Sequence, residues 1–335
     1  MIKALRFGSR ILSSGKPYKL NLYLTDRCNC RCKICGIWKK KKGLELSVAE
    51  IRDFLGKNPY FFWVDVTGGE IFMRKDIDEV FDAIVECKNL YLLHFPTNGL
   101  MTEKICESVR RIKKKFSGRL VITVSIDGTE VLHDSLRGAR GSWRHAIQTF
   151  RKLDAINNGN VFFGYTLSKY NAGRLLEAYD ELRGEIPDLD LHRIHLNLAQ
   201  NSNFYYANTG KKLLVNRDEI LKDIEFINHN RAMSLNPFNI LEHRFLELLG
   251  AYISSGDYPL KQCMALNDTV TVNPKGEVYA CLFFDRKLGD LHKTNFYLQP
   301  IMDTAMQLRQ NILKECPHCW SACEAYPTII GSMLK

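Results

Sequence analysis

No run of apolar residues in this 335-residue chain approaches the roughly 18 that a membrane-crossing helix needs. The first twenty residues, Met1 to Leu20, also lack the apolar centre of a secretion signal, so the expected location is the cytoplasm. There is no repeat of solenoid period and no low-complexity tract, which sets aside stacked-repeat and disordered architectures. A basic surface interleaved with base-stacking aromatics is missing too, which makes nucleic acid an unlikely partner despite a formal net charge of +10. Much of that charge lies in Lys39–Lys42 and in the run from Arg110 to Lys115, expected as solvated faces or else as attraction for an anionic substrate or surface. What the chain does have is 45% apolar and 25% charged residues, the balance of a chain folding around a sizeable core.

It also has eleven cysteines. An odd count in a reducing compartment does not make a disulfide framework, which leaves metal binding or catalysis. Cys28, Cys30, Cys32 and Cys35 sit near one end, and Cys263, Cys281, Cys316, Cys319 and Cys323 near the other. Two separate sulfur sites follow. Cys87 and Cys106, among apolar residues of helical patterns, are expected as small core side chains.

Short β-branched and aromatic runs at Lys19–Thr25, Phe61–Val66, Tyr91–Phe95, Leu120–Ser125, Asn160–Thr166 and Leu191–Asn197 predict strands. Helical patterns at Ser47–Gly56, Ile77–Cys87, Thr102–Lys115, Ser142–Asn157 and Ala172–Arg183 alternate with them, the first opened by a capping box of Ser47 and Glu50. Six such units predict a partial (β/α)6 TIM-like barrel, with chemistry beyond the C-terminal ends of the strands. The polar, glycine-rich segments Thr25–Cys28, Thr67–Glu70, Pro96–Gly99 and Ser125–Gly128 all fall on that rim. The expected divisions are a basic N-terminal segment (1–18), the barrel (19–225), a helical linker (226–262) and a small cysteine-rich hairpin and helix module (263–335).

Cys28, Cys32 and Cys35 are spaced Cys-x3-Cys-x2-Cys, three thiolates where a fully ligated cube takes four. With the Thr67-Gly68-Gly69-Glu70 segment on the same rim, the chain resembles the radical S-adenosylmethionine (radical SAM) superfamily. That resemblance implies a [4Fe–4S] cluster whose open iron chelates the methionine end of SAM, and reductive cleavage to a 5′-deoxyadenosyl radical. It further implies that Thr67, Gly68, Gly69 and Glu70 hold the methionine amine, and that Ser125 and Arg137 hold the ribose and carboxylate. Asn98 and Asp127 are further candidates, as apt to form turns as to bind. Thr166 and Asn197 are rim residues without an assigned role, and Cys30 reads as a bystander thiol.

Cys263 and Cys281 flank a hairpin, and Cys316-Pro317-His318-Cys319 adds a Cys-x2-Cys knuckle, with Cys323 a fifth candidate. This resembles the SPASM/Twitch auxiliary-cluster modules that follow many radical SAM barrels, and implies a second, fully ligated [4Fe–4S] cluster. A zinc site of four thiolates uses similar spacings. In the sulfatase-maturing relatives an Asp follows the cysteine matching Cys281; Leu282 stands here, and the nearest acid is Asp285.

The resemblance implies an enzyme that oxidises or crosslinks a peptide or a biosynthetic small molecule, fed electrons by a flavodoxin- or ferredoxin-type reductant. Two alternatives are an iron–sulfur or zinc protein that relays electrons without turnover, and a radical SAM enzyme acting on RNA or a lipid-linked substrate. Ile2, Leu5, Ile11 and Leu12 among basic residues give the N-terminal segment a pattern suited to membrane contact or to covering the core.

Overall fold

A computed structural model describes residues 16–232 and 234–334. Most of the N-terminal segment considered for membrane contact therefore lies outside the described residues. None of the described helices is long and apolar enough to cross a membrane.

Six strands, β1 (Lys19–Tyr23), β2 (Trp63–Thr67), β3 (Leu92–Thr97), β4 (Arg119–Ser125), β5 (Val161–Leu167) and β6 (Ile194–Leu198), pair in parallel in chain order. Helices α1 (Val48–Lys57), α2 (Ile77–Val85), α3 (Thr102–Lys115), α4 (Glu130–Arg137), α5 (Ser142–Asn157) and α6 (Leu175–Glu185) return the chain between them. The Ser47 hydroxyl accepts from the Glu50 amide while the Glu50 carboxylate reaches back to the Ser47 amide, so α1 starts where its capping box dictates. Ile51, Phe54 and Leu55 on its inner face are buried. Leu93, Phe95, Ile122, Val124, Val161 and Phe163 point outward from the sheet under these helices, all at 0% exposure. That apolar layer is the main core.

The sheet does not close. Its order is β6-β5-β4-β3-β2-β1-β7-β8-β9, because β7 (Thr269–Val272) pairs in parallel with β1 and leads into an antiparallel meander through β8 (Glu277–Tyr279) and β9 (Lys287–Asp290). The C-terminal hairpin therefore continues the barrel sheet rather than standing beside it. Between β6 and β7 run α7 (Arg217–Asn230) and α8 (Pro237–Ser255). After β9 come α9 (Gln299–Gln307), α10 (Arg309–Lys314) and α11 (Ala322–Leu334). Cys87 and Cys106 are buried in the main core.

Candidate active site

The cysteine loop after β1 is pinned from three sides. The Gly69 amide donates to the Thr25 carbonyl at 2.8 Å and the Glu70 amide to the Arg27 carbonyl at 2.7 Å. On the other flank, the Arg31 and Lys33 amides donate to the last carbonyls of α4, on Arg137 and Leu136, both at 2.8 Å. Below, the Gly36 amide donates to the Tyr206 carbonyl at 2.6 Å and the Asn208 side chain to the Ile34 carbonyl at 2.8 Å. Glycine at 69 is required by this docking: a Cβ there would lie 2.2 Å from the Arg27 carbonyl oxygen and 2.9 Å from Cys28 Cβ.

Cys28, Cys32 and Cys35 line a cavity of about 1420 Å³ that fills the barrel bore, together with Thr67, Gly68, Gly69, Asn98, Ser125 and Arg137. Cys30 lines it too; its amide donates to Cys28 Sγ at 3.4 Å, and its proximity lowers the pKa of Cys28 and of Cys32, the latter to about 7 with further help from Arg137. Burial instead pushes Cys35 up to about 12. Among the described residues no three His, Cys, Asp or Glu side chains converge on a point for one ion. A cube gives each thiolate a different iron, so its ligands need not converge as those of a single tetrahedral zinc do. Three soft thiols on one loop, a glycine pair whose backbone abuts that loop, and an adjoining bore fit a three-cysteine cluster with SAM beside it.

Two expected contacts sit behind the cavity wall. Glu70 is buried and accepts from the Asn98 amide at 2.8 Å and the Thr97 hydroxyl at 3.0 Å, tying the β2 rim to the β3 rim; burial raises its pKa to about 7. Asp127 pairs with Arg137 at 2.6 Å and accepts from the Thr166 amide at 2.9 Å. Arg137 thus faces the cavity already oriented by a carboxylate, and its Nε is buried without a hydrogen-bond partner among the described residues. Asn98 donates to Asn29 of the cysteine loop at 2.7 Å. Thr166 and Asn197 line the bore.

The second sulfur group packs into the same apolar cluster as the first. Tyr23, Tyr205, Cys281, Leu282 and Phe283 are among its buried members, and Cys28, Cys35, Cys263, Cys319 and Cys323 pack against it. Burial raises the pKa of Cys263, Cys281, Cys316 and Cys319, Cys263 to about 12, and several of these thiols add to one another's rise. Burial raises Cys323 to about 12 as well; Glu324, which acts on the other four, adds to this, and Lys19 and Asp65 act on Cys323 besides. It also lines the bore. Asp285, the nearest acid to Cys281 in sequence, accepts from the Asn203 and Phe204 amides at 3.0 and 3.1 Å and so anchors the loop after β6.

Two groups of residues went unnoticed in the sequence. Tyr205 places its hydroxyl 2.5 Å from Thr67 Oγ1, against the glycine pair, and stands edge-on to Tyr23. Across the strands run Lys19, Asp65, His94 and Thr123, linked at 2.8, 3.1 and 3.0 Å. Burial opposes ionisation of Asp65, but Lys19 and His94 hold its carboxyl below the ordinary range. An acid at the centre of one apolar strand, Asp65, and a lysine opening the apolar strand beside it, Lys19, were the available signal for this pair.

Comparison with known proteins agrees with this geometry. Residues 22–182 match the model of the Radical SAM superfamily. The chain is 24% identical over 287 residues to the antilisterial bacteriocin subtilosin biosynthesis protein AlbA of Bacillus subtilis (strain 168), covering 84% of this chain and 58% of AlbA. It is 28% identical over 174 residues to the sporulation killing factor maturation protein SkfB of the same organism, covering 51% of this chain and 40% of SkfB. The chain thus spans about half the length of these curated relatives. In fold it matches Streptococcus suis SuiB bound to S-adenosylmethionine, with a TM-score of 0.61 and 16% identity over 89% of this chain and 69% of SuiB. Residues 22–182, which carry the cysteine tripod, the glycine pair and Arg137, thus match the radical SAM superfamily over just under half of the chain.

Proposed function

We propose that this chain is a SAM-dependent enzyme that modifies a peptide by radical chemistry. The observation that carries the reading is the docking of Gly69 and Glu70 onto the cysteine loop at one rim of a 1420 Å³ bore, which sets thiols, glycine backbone and substrate space side by side. Cys28, Cys32 and Cys35 would hold the [4Fe–4S] cluster, and Cys263, Cys281, Cys316 and Cys319 an auxiliary one, with Cys323 outside that set. When bound and reduced, the first cluster with SAM supplies a 5′-deoxyadenosyl radical.

The chain's own residues position and shield. Gly68 and Gly69 let the backbone approach the methionine amine without a side chain intervening. Arg137, held by Asp127, presents its unpartnered Nε edge to the carboxylate, a planar donor meeting a planar acceptor. Ser125 offers its hydroxyl to the ribose. Tyr205, Tyr206 and Phe283 pack ring on ring in the apolar cluster shared by cysteines of both sulfur groups and keep water from it.

A peptide substrate is supported by the relatives: AlbA and SkfB are named for bacteriocin biosynthesis and killing-factor maturation, and SuiB has been solved with its precursor peptide SuiA. The electron would come from a flavodoxin- or ferredoxin-type protein. The test is anaerobic reconstitution, reduction with dithionite, and chromatography for 5′-deoxyadenosine formed from SAM. Formation in wild type and its loss in Cys28→Ala, Cys32→Ala and Cys35→Ala are expected; unchanged formation in any of the three overturns the assignment.

A further inference from the structure

The bore does not end beneath the SAM rim. Its lining continues down the strands to their N-terminal ends, where Trp63, Leu92 and Arg119 lie in one layer by strand register. Arg119 opens β4 and Ser125 closes it, so six residues at about 3.3 Å each put this far mouth roughly 20 Å below the rim. That depth is matched by about six residues of extended peptide.

The two walls differ. On the β1 to β3 side the polar side chains that line the bore at mid-height are spent: Asp65 accepts from Lys19, Trp63 and His94, and His94 engages Thr123. On the β5 to β6 side the side chains of Thr166, His195 and Asn197 line the bore and, among the described residues, make no hydrogen bond. A peptide backbone passing through needs such groups, since each of its amides and carbonyls costs free energy if buried unpaired.

Arg119 stands out at the far mouth. The other arginine there, Arg193, is paired with Asp154 at 2.6 Å. Arg119 has no carboxylate in reach among the described residues, and its Nε is buried without a hydrogen-bond partner. Its guanidinium carbon lies 3.4 Å from the centre of the Phe238 ring, which fixes the plane of the group and leaves its edge donors available. Burial lowers its pKa, a cost that a bound anion would offset. A half-buried, aromatic-stacked cation lacking a counter-ion, at the end of a bore, is built for a ligand's negative charge.

We infer that Arg119 is a specificity-determining residue: the bore takes an extended stretch of substrate peptide whose carboxylate, about six residues from the modified position, pairs with Arg119. This rests on the peptide reading above and adds the charge and spacing of the substrate. The carboxylate is that of an Asp or Glu side chain.

The test pans a displayed library of random decapeptides on the reconstituted holoenzyme with SAM bound and no reductant. Wild type should enrich peptides bearing an acidic residue, and Arg119→Glu should shift the enriched set to Lys and Arg. For one enriched peptide made synthetically, Arg119→Gln should weaken binding ten- to hundredfold, as loss of a charged pair does, while Arg119→Lys retains part of it. No enriched peptides, no acidic preference, or the same preference in Arg119→Gln overturns the inference. Formation of 5′-deoxyadenosine without peptide, measured in the same variants, should stay at the wild-type level. Its loss in wild type as well would instead sink the radical SAM reading.

Discussion

Replacing Gly69 with alanine adds one methyl group where the strand-two rim meets the cysteine loop. Its Cβ would lie 2.2 Å from the Arg27 carbonyl oxygen, 2.7 Å from the Arg27 carbonyl carbon and 2.9 Å from Cys28 Cβ. Two of those atoms are backbone, so no side-chain rotation relieves the clash. The two segments must part by about an ångström, weakening the bonds from the Gly69 and Glu70 amides to Thr25 and Arg27. Forced overpacking of this kind costs about 1–3 kcal/mol. At about 2 °C per kcal/mol for a chain this size, the melting midpoint of the variant should fall by about 2–6 °C. Function should suffer more, because an ångström of misplacement at a reacting centre costs about a hundredfold in rate. Gly56→Ala is the matched control: nothing lies within 4 Å of its added Cβ, so helix α1 should gain a few tenths to about 1 kcal/mol. Differential scanning fluorimetry and a 5′-deoxyadenosine assay read both variants. If Gly69→Ala melts with wild type and cleaves SAM at the wild-type rate, the docking of the glycine pair on the cysteine loop is not what positions the site.

Further outcomes are expected. Lys19→Met strands the buried Asp65 carboxylate and should cost about 3–5 kcal/mol in chemical denaturation, most of it regained in the double variant with Asp65→Asn. Iron analysis of reconstituted protein should fall by about half in Cys263→Ala and Cys316→Ala and remain at the wild-type level in Cys323→Ala; a loss in Cys323→Ala would return that thiol to the auxiliary set. Asp223 caps α6 by accepting from the Gly173 and Leu175 amides at 2.7 and 3.0 Å, and burial raises its pKa to about 6. Between pH 4 and 6 the folded chain therefore keeps a proton that the unfolded chain has lost, and stability falls as pH rises through that window, by up to about 3 kcal/mol. Asp223→Asn should flatten that part of the stability–pH curve, and an unchanged slope would show that Asp223 titrates normally.

Much of the barrel was legible because its signals are local. The β-branched runs marked all six parallel strands to within three residues, and helices α3 and α5 begin and end where their apolar periodicity does. Helix α4 was missed: Glu130–Arg137 spans two turns and buries only His133 and Leu136, too short a pattern to stand out from a loop. The pairing of β1 with β7 was invisible, since it joins Lys19 to Thr269 across the whole barrel and leaves no mark at either place. At the site, the cysteine spacing and the glycine pair identified the rim, whereas the orientation of each acid depended on distant partners. Glu70 turns to the β3 backbone and Asp285 to the loop before Tyr205, and neither partner is near in sequence. Tyr205 itself lies in an aperiodic loop and owes its place to Thr67, which hydrogen-bonds it from another strand.

The claim beneath the rest is that Cys28, Cys32 and Cys35 hold a cluster with one iron open to SAM. Electron paramagnetic resonance of the reduced, reconstituted chain bearing Cys263→Ala and Cys281→Ala, recorded with and without SAM, tests it most directly. The account predicts a [4Fe–4S]⁺ signal whose g values shift when SAM is added. A signal indifferent to SAM, or a protein that takes up zinc and no iron under the same conditions, would contradict it.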